Sequence, residues 1–139
     1  MEYLYHQKIL FKHCDPAGIV FYPRYFEMMN DCVEAFFNRA LGYSFVEVHK
    51  DGGGVPTAEI TTRFTAPSRM GDQLTLHLTV RSLGRTSMGI RITARQGDDT
   101  RFEMQSTLVH INNTARPHPW PDAIRDKVQG YLEKTQDDA

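Results

Sequence analysis

The sequence has few cysteines, no long apolar run and almost no net charge. Its two cysteines, Cys14 and Cys32, lack the spacing of a disulfide framework, so we expect unpaired thiols and a reducing, cytoplasmic location. No apolar run approaches the roughly 18 residues of a membrane span, and the N-terminus lacks a signal-peptide pattern. A net charge of −1 disfavours general binding to nucleic acids or membrane surfaces.

Signatures of metal sites and of nucleotide-phosphate loops are also missing. The six histidines are scattered with no ligand spacing, which disfavours a metal site. The glycine-rich stretch DGGG at 51–54 does not join a strand to a helix, as a phosphate-binding loop would. The charge balance still permits a local basic patch for an anionic ligand.

The apolar pattern begins with a strand and a long helix. The length is typical of one domain, taken as 1–139. Residues 3–12 are rich in aromatic and β-branched side chains and predict a first strand. Helical spacing begins at Pro23, which suits a first helical turn, and ends before Gly42. The predicted buried face of this helix consists of Tyr25, Phe26, Met28, Met29, Cys32, Val33, Phe36, Phe37, Ala40 and Leu41.

After the helix and a loop, apolar and polar residues alternate with the period of strands. A short helix is predicted after Pro121. This order indicates an α+β fold in which the long helix packs on one face of an antiparallel sheet. The other face and the edges of the sheet need cover, so we expect self-association. The four later strands are predicted at 56–67, 72–80, 87–96 and 100–112, with a tight turn in the GDD of 97–99.

A carboxylate stands just before the long helix, in the stretch HCDPAGIVFYP. Pro16 pushes Asp15 into an extended conformation, and Gly18 permits a positive-φ turn. The helix start near Tyr22 offers unpaired N–H groups and a partial positive charge, which suit a carbonyl oxygen that gains negative charge. Asp15 is then placed to act as a base on water or as a nucleophile. The alternative is that Asp15 only caps a turn.

The run DPAGIVFYPRYF, together with FTAPSRMGDQLTL and SLGRTSMGI, resembles the acyl-CoA thioesterases of the hotdog fold, closest to the bacterial 4-hydroxybenzoyl-CoA thioesterase type. The resemblance implies a five-stranded antiparallel sheet wrapped around one long central helix, with a short C-terminal helix after it. It implies a homodimer, often paired into a tetramer, with active sites at the subunit interface. It also implies hydrolysis of an acyl-CoA thioester without a metal or a bound cofactor.

The resemblance also assigns the catalytic residues. The family's catalytic carboxylate falls on Asp15, and the backbone N–H that polarises the carbonyl falls on Tyr22. One departure is that Lys12 and His13 stand where close relatives often have Gly-Asp, which affects the rim of the pocket.

Other side chains compete with Asp15 for a chemical role. Glu27 is the first rival, because another branch of hotdog thioesterases uses an acid within the helix; Glu34 is the second, and a solvated helix flank is the alternative for both. His13 is a candidate base beside Asp15, or else a structural or rim histidine. Cys14 lacks a histidine at fixed spacing and is expected to be a buried or rim thiol.

The substrate site is expected to have an acyl end and a nucleotide end. The first helical turn is near enough to Asp15 to line the acyl end, and its aromatic walls suit an aromatic or a short aliphatic acyl group. The phosphates of coenzyme A need cations, and Arg85 matches the region where the family meets the nucleotide. The predicted substrate-binding residues are Gly18, Phe21, Phe26, Arg85, Thr86 and Ser87, with Arg63, Arg69 and Arg116 as weaker candidates.

Three functions remain open from the sequence. The first is an acyl-CoA thioesterase, and the second is a non-catalytic acyl-CoA binding module on the same scaffold. A binding module needs no base, so Asp15 beside an intact helix start favours the enzyme. The third is a hotdog dehydratase acting on hydroxyacyl thioesters, which requires a histidine and an acid that face each other; only His13 is available for that arrangement.

Overall fold

A computed structural model describes residues 1–134 of the chain. It contains one sheet, one long helix and two short helices, which we number in chain order. The elements are β1 (Tyr3–Lys8), α1 (Pro23–Ala35), α2 (Phe45–His49), β2 (Thr57–Phe64), β3 (Gln73–Leu83), β4 (Ser87–Gln96), β5 (Asp99–Val109) and α3 (Asp122–Val128). Single turns of 3₁₀ helix lie at Phe11–His13 and Gln129–Tyr131, and a π-helical turn lies at Phe36–Ala40.

The five strands form one antiparallel sheet in the order β1-β3-β4-β5-β2. As the alternating sequence pattern predicts, every second residue of β3 is buried, on the face that packs against α1. These buried β3 residues are Leu74, Leu76, Leu78 and Val80. The predicted hotdog arrangement, an antiparallel sheet around one long helix, is confirmed.

The apolar face of α1 is buried as predicted, although the helix does not end as expected. Phe36 and Phe37 continue the buried face in a π-helical turn, and Leu41 is buried after it. Gly42 follows with a φ of +63°, which is the left-handed conformation that ends many helices. The sequence pattern therefore located the apolar face correctly and missed the widening of the last turn.

The predicted bounds of three strands were also wrong. β2 ends at Phe64 and β5 at Val109, each three residues before its predicted end, and β3 continues three residues past its predicted end, to Leu83.

Two further local predictions were wrong. β1 ends at Lys8, four residues early, because Ile9 leaves the ladder and exchanges backbone hydrogen bonds with the loop before β3. The segment after α1, predicted as loop, contains α2. The Ser44 side chain accepts a hydrogen bond from the Glu47 N–H at 3.2 Å and caps this helix. Ser44 and Glu47 have the serine-to-glutamate spacing of a helix start, a signal that was present in the sequence.

The turns and loops gather at two ends of the sheet. The loop after β1 pairs with the segment before β3, through an Ile19–Arg69 bridge, and we name this side the Asp15 end. The β3–β4 connection lies at the other side, which we name the Arg85 end. β3 has 11 residues, so the two ends are roughly 33 Å apart at about 3.3 Å per residue. In residues 1–134, no helix is long and apolar enough to cross a membrane.

Candidate active site

Asp15 starts a tight hairpin that brings the chain from β1 to the helix. The Asp15 N–H donates to the Ile19 carbonyl at 3.0 Å, and the Gly18 N–H donates to the Asp15 carbonyl at 2.9 Å. Gly18 has a φ of +82°, as its place in the sequence predicted, and nothing crowds its missing side chain. We name residues 13–21 the Asp15 hairpin. Its three-residue loop ends in the left-handed Gly18.

The Asp15 carboxylate is held by its own turn. Its Oδ1 accepts a hydrogen bond from the Ala17 N–H at 2.9 Å, so the predicted turn-capping role is present. Oδ2 has no hydrogen-bond partner within residues 1–134. The residue is half-buried. One oxygen therefore orients the carboxylate and the other is left for a ligand.

Tyr22 stands at the start of α1 with an unused backbone donor. The Phe21 N–H donates to the His13 carbonyl at 2.9 Å, which anchors the helix start to the first arm of the hairpin. Pro23 begins α1 and has no N–H. The Tyr22 N–H has no acceptor in the part of the chain that the structure describes. Tyr22 thus follows directly on the second arm of the hairpin that contains Asp15.

A buried arginine holds the loop on which the hairpin rests. The Val20 N–H donates to the Ser68 carbonyl at 2.9 Å. Ser68 is buried, and its hydroxyl accepts from Arg101 at 3.1 Å. Arg101 also donates to Asp72 at 2.7 Å and to Asp99 at 2.9 Å. The Arg101 hydrogen bond lowers the pKa of the Asp72 carboxyl.

An apolar cavity of about 500 Å³ lies on one side of the helix start. Phe64, at the end of β2, stacks on Tyr25 with ring centroids 5.5 Å apart and meets Tyr22 at 6.1 Å. Phe26 does not line this cavity, but its ring meets that of Phe64 edge-on, with ring centroids 6.1 Å apart. We name it the aromatic cavity; it is lined by Ile19, Val20, Tyr22, Tyr25, Phe64, Thr65, Ala66 and Pro67.

A second cavity, of about 680 Å³, lies on the other side of the helix start. Residues 24, 27 and 31 are spaced by helical turns and face it, while residues 22 and 25 face the aromatic cavity. We name it the polar cavity; it is lined by Lys12, His13, Arg24, Phe26, Glu27, Met28, Asn30 and Asp31.

The rival side chains are now placed. Glu27 pairs with Arg24 at 3.1 Å and is exposed, and Glu34 is also exposed. The Cys14 thiol is half-buried and lies 3.7 Å from the Leu10 carbonyl. Cys32 is buried, and burial raises the pKa of its thiol to about 12, so it is not a nucleophile. Phe21 is exposed next to the Tyr22 ring.

The structure does not bring Arg85 to Asp15 within one chain. Arg85, Thr86 and Ser87 lie in and after the β3–β4 connection at the Arg85 end. Their carbonyls accept hydrogen bonds from the backbones of Trp120 and His110 and from the Trp120 ring. The weaker candidate Arg69 is exposed beside the Asp15 hairpin, because it forms the bridge to Ile19. Sequence reasoning ranked these two arginines by motif and not by their place in the sheet.

The other weak candidates lie elsewhere. Arg63 is exposed on β2, and Arg116 is exposed in the loop after β5. Residues 1–134 contain no group of three or more histidine, cysteine or carboxylate side chains that could hold a metal ion. The expectation of a reaction without metal or cofactor stays a prediction.

Comparisons with known proteins identify the family of the chain. A family model described as the thioesterase-like superfamily matches residues 9–128. The 1,4-dihydroxy-2-naphthoyl-CoA hydrolase of Synechococcus elongatus is 24% identical over 133 residues, covering 92% of this chain and 96% of that protein.

Solved structures show the same likeness. A gentisyl-coenzyme A thioesterase has a TM-score of 0.83 and 26% identity, covering 91% of this chain and 99% of its own. A 1,4-dihydroxy-2-naphthoyl-CoA thioesterase from Synechocystis has a TM-score of 0.85 and 18% identity, covering 93% and 96%. Because the family model spans most of the chain, including the Asp15 hairpin, α1 and all the strands after it, this protein belongs to the thioesterase-like superfamily.

Proposed function

We propose that this protein is an acyl-CoA thioesterase that acts at the Asp15 hairpin. The observation that carries the proposal is that the hairpin and the helix start directly after it each have an unused group, the Oδ2 of Asp15 and the backbone N–H of Tyr22. One is an acceptor or nucleophile, and the other is a donor at a helix start. A thioester carbonyl needs both, one for the attack on carbon and one for the charge on oxygen.

The reaction follows from these two groups. The thioester oxygen accepts a hydrogen bond from the Tyr22 N–H, and the helix start stabilises the negative charge that develops on it. The Asp15 carboxylate either takes a proton from the attacking water or attacks the carbon itself and is later released by water. The C–S bond breaks, and the thiolate takes up a proton. The products are a carboxylic acid and free coenzyme A.

The aromatic cavity supports an aromatic acyl group. Phe64 and Tyr25 offer stacked faces, and aromatic rings favour offset or edge contacts with such walls. The similar proteins that are named for their substrates act on 1,4-dihydroxy-2-naphthoyl-CoA and gentisyl-coenzyme A. We therefore propose an aromatic acyl-CoA, with 4-hydroxybenzoyl-CoA among the substrates to be tested.

The proposed site needs a second copy of the chain. β2 is a terminal strand of the sheet, and Ile60 and Phe64 on it are 43% and 44% exposed. Two copies paired antiparallel along β2 would form a homodimer, in which the Arg85 end of one sheet stands beside the Asp15 end of the other. Arg85, Thr86 and Ser87 would then reach the nucleotide from the partner. Light scattering tests this: a 16.0 kDa particle at micromolar concentration would contradict it.

A hydrolysis screen tests the activity. The purified protein is mixed with benzoyl-, 4-hydroxybenzoyl-, gentisyl-, acetyl- and hexanoyl-CoA, and free thiol is measured. We expect the three aromatic acyl-CoA thioesters to have the highest kcat/KM. The Asp15→Asn variant serves as the inactive control. Release of thiol from none of the five would contradict the proposed function. Hydrolysis of hexanoyl-CoA alone would contradict the aromatic assignment and leave the thioesterase assignment standing.

A further inference from the structure

The His13 ring is fixed in place and has one known tautomer. The side chain is only 7% exposed, and its Nδ1 lies 2.8 Å from the Leu10 backbone N. A backbone N–H can only donate, so Nδ1 must be the acceptor. The neutral ring therefore keeps its proton on Nε2.

The other ring nitrogen of His13 is not used by the fold. Nε2 has no hydrogen-bond partner in residues 1–134. It is also not enclosed, because the enclosed polar atoms that lack a partner are the hydroxyl of Thr62 and the Nδ1 of His77. His13 lines the polar cavity, and we infer that its open Nε2–H faces that cavity. A rigid, buried ring with one open donor at a cavity wall is a group that can orient a ligand.

The charge of the ring selects the kind of acceptor. Burial lowers the pKa of His13, and the nearby Lys12 lowers it further, so the ring is neutral at pH 7. A neutral N–H donor suits an uncharged oxygen such as an amide carbonyl. In the proposed function the acyl group enters the aromatic cavity, and the thiol arm leaves on the opposite, polar side of the helix start. In coenzyme A, that arm carries an amide whose nitrogen follows two carbons after the sulfur and whose carbonyl comes directly after the nitrogen.

The spacing along the hairpin fits this amide. His13 ends the 3₁₀ turn, and Cys14 after it is extended with φ of −98° and ψ of 153°, so the Cα atoms of His13 and Asp15 are roughly 6.6 Å apart at 3.3 Å per residue. Five covalent bonds separate the thioester carbon from the amide carbon, a reach of about 6 Å when extended. An oxygen that reacts beside Asp15 and an amide that meets His13 can thus belong to one substrate.

We propose that the His13 Nε2–H donates a hydrogen bond to the first amide carbonyl of the coenzyme A arm. The inference rests on the proposed thioesterase function and adds a binding residue to it. It also accounts for the Lys12–His13 pair, because the charge of Lys12 helps to keep His13 neutral and the neutral ring donates to the substrate arm.

Two substitutions at this position separate the ligand contact from the structural contact. His13→Asn places an amide oxygen near the position of Nδ1, so the Leu10 N–H keeps an acceptor while the Nε2 donor is lost. His13→Gln does the reverse, because its longer side chain carries an N–H to about the position of Nε2. Thermal unfolding of both variants shows whether the fold is kept.

Three thioesters of one aromatic acid complete the test. They carry coenzyme A, N-acetylcysteamine, which retains the first amide, and pentanethiol, which does not. We expect His13→Asn to lower kcat/KM about 3–10-fold on the first two thioesters, the usual range for one uncharged hydrogen bond, and to leave the pentyl thioester unchanged. His13→Gln should return the first two to within about threefold of the wild type.

The outcomes are distinct from a failure of the proposed function. Equal losses on all three thioesters, or no loss on any, would overturn the role of His13 while hydrolysis itself stands. If the wild type hydrolyses none of the three thioesters, the thioesterase proposal fails, and the His13 contact is tested by calorimetric titration with pantetheine. A Kd raised about 3–10-fold by His13→Asn supports the contact. An unchanged Kd, or no binding by the wild type, overturns it. Should His13→Asn not fold, His13→Ser, which keeps an acceptor oxygen and also lacks the Nε2 donor, takes its place. An amide-to-pentyl ratio of kcat/KM that stays at the wild-type value in that variant overturns the contact.

Discussion

The two ends of the sheet each contain a buried histidine, and the two histidines are used differently. At the Arg85 end, His110 has both ring nitrogens engaged: Nδ1 faces the His118 carbonyl at 2.9 Å, and Nε2 accepts from the Tyr43 hydroxyl at 3.2 Å. The ring also stacks on Trp120 with centroids 4.8 Å apart. At the Asp15 end, His13 uses one nitrogen for the fold and leaves the other at a cavity wall.

This contrast distinguishes structural polar groups from working ones. A buried polar group that supports the fold has its partners within the fold, because an unpaired one is costly. At the Asp15 end, Asp15 Oδ2, the Tyr22 N–H and His13 Nε2 have no hydrogen-bond partner in residues 1–134. They surround one helix start. We therefore expect substitutions of the three unpartnered groups to affect chemistry, and substitutions of the groups bonded to His110 to affect stability.

The largest expected effect tests the Asp15 end directly. Asp15→Asn keeps an oxygen for the Ala17 N–H and removes the base or nucleophile, so we expect kcat to fall by about 10²–10⁴-fold with the fold intact. The measurement is steady-state hydrolysis with circular dichroism as the folding check. Glu27→Gln is the matched control and should lose less than about tenfold. Equal losses would move the catalytic acid into the helix.

The next effect concerns the support beneath the hairpin. Arg101→Gln leaves Asp72 without its cation, and we expect the free energy of unfolding to fall by about 3 kcal/mol. The Ser68 contact is lost as well, so the hairpin shifts and kcat falls roughly 10–100-fold while KM changes little. Urea unfolding and steady-state kinetics check both. Arg101→Lys, which keeps the charge, should recover part of the stability; an unchanged kcat in a destabilised Arg101→Gln protein would limit Arg101 to a structural role.

The same ion pair makes a prediction about acid. Because the pKa of Asp72 is lowered in the folded protein, the pair contributes stability above the unfolded carboxyl value of about 3.9 and loses it as the pH falls through the folded value. Wild-type stability should therefore drop more steeply than that of Arg101→Gln below about pH 4. Parallel stability curves between pH 5 and pH 2 would contradict this linkage.

A smaller effect is expected from Arg85, which is proposed to bind the nucleotide of a substrate that reacts at the Asp15 end of the partner subunit. Arg85→Ala should raise KM for the acyl-CoA by about 5–50-fold without lowering kcat, since a phosphate contact is equally present in the ground state and the transition state. The N-acetylcysteamine thioester lacks the nucleotide and should be unaffected. High salt should raise the wild-type KM and narrow the gap. A matching rise in KM on both thioesters would show that Arg85 acts through the fold.

The smallest effect on activity is expected at the Arg85 end. Tyr43→Phe removes the donor to His110 Nε2 and should lower the free energy of unfolding by about 1–2 kcal/mol. Both kcat and KM should stay within about twofold, because no unused polar group lies at this contact. The checks are thermal unfolding and the same kinetic assay. A loss of activity comparable to that of Asp15→Asn would erase the distinction between the two ends.

Local patterns in the sequence predicted the parts of the molecule that local forces determine. The Asp15 turn needs Pro16 and Gly18 at fixed offsets, and the buried faces of α1 and β3 need fixed periods. Each is visible in a short window, and the structure has each in place. Whether Asp15 and Arg85 meet within one chain could not be predicted in this way, because a motif does not reveal which end of a strand a residue occupies. The resemblance places the site at the subunit interface, and that stays a prediction.

The support beneath the hairpin could not be predicted in this way. Arg101 lies more than 80 residues along the chain from Val20, and the two are joined through Ser68. Neither the arginine nor the serine stands in a pattern, since an alternating strand position predicts an exposed charge as readily as a buried one. The early end of β1 is similar, because Ile9 leaves the ladder to bond with a loop 60 residues away.

Phe64 has a consequence for how this enzyme could acquire new substrates. Its ring is a wall of the aromatic cavity, yet its backbone belongs to the open edge of β2. If copies pair along that edge as proposed, a substitution that reshapes the pocket also changes the contact between subunits. Selection for a different acyl group at Phe64 then also changes how the subunits assemble. Fewer substitutions of Phe64 are therefore neutral. New specificities should arise more readily through Ile19 or Pro67, which line the same cavity from the loops.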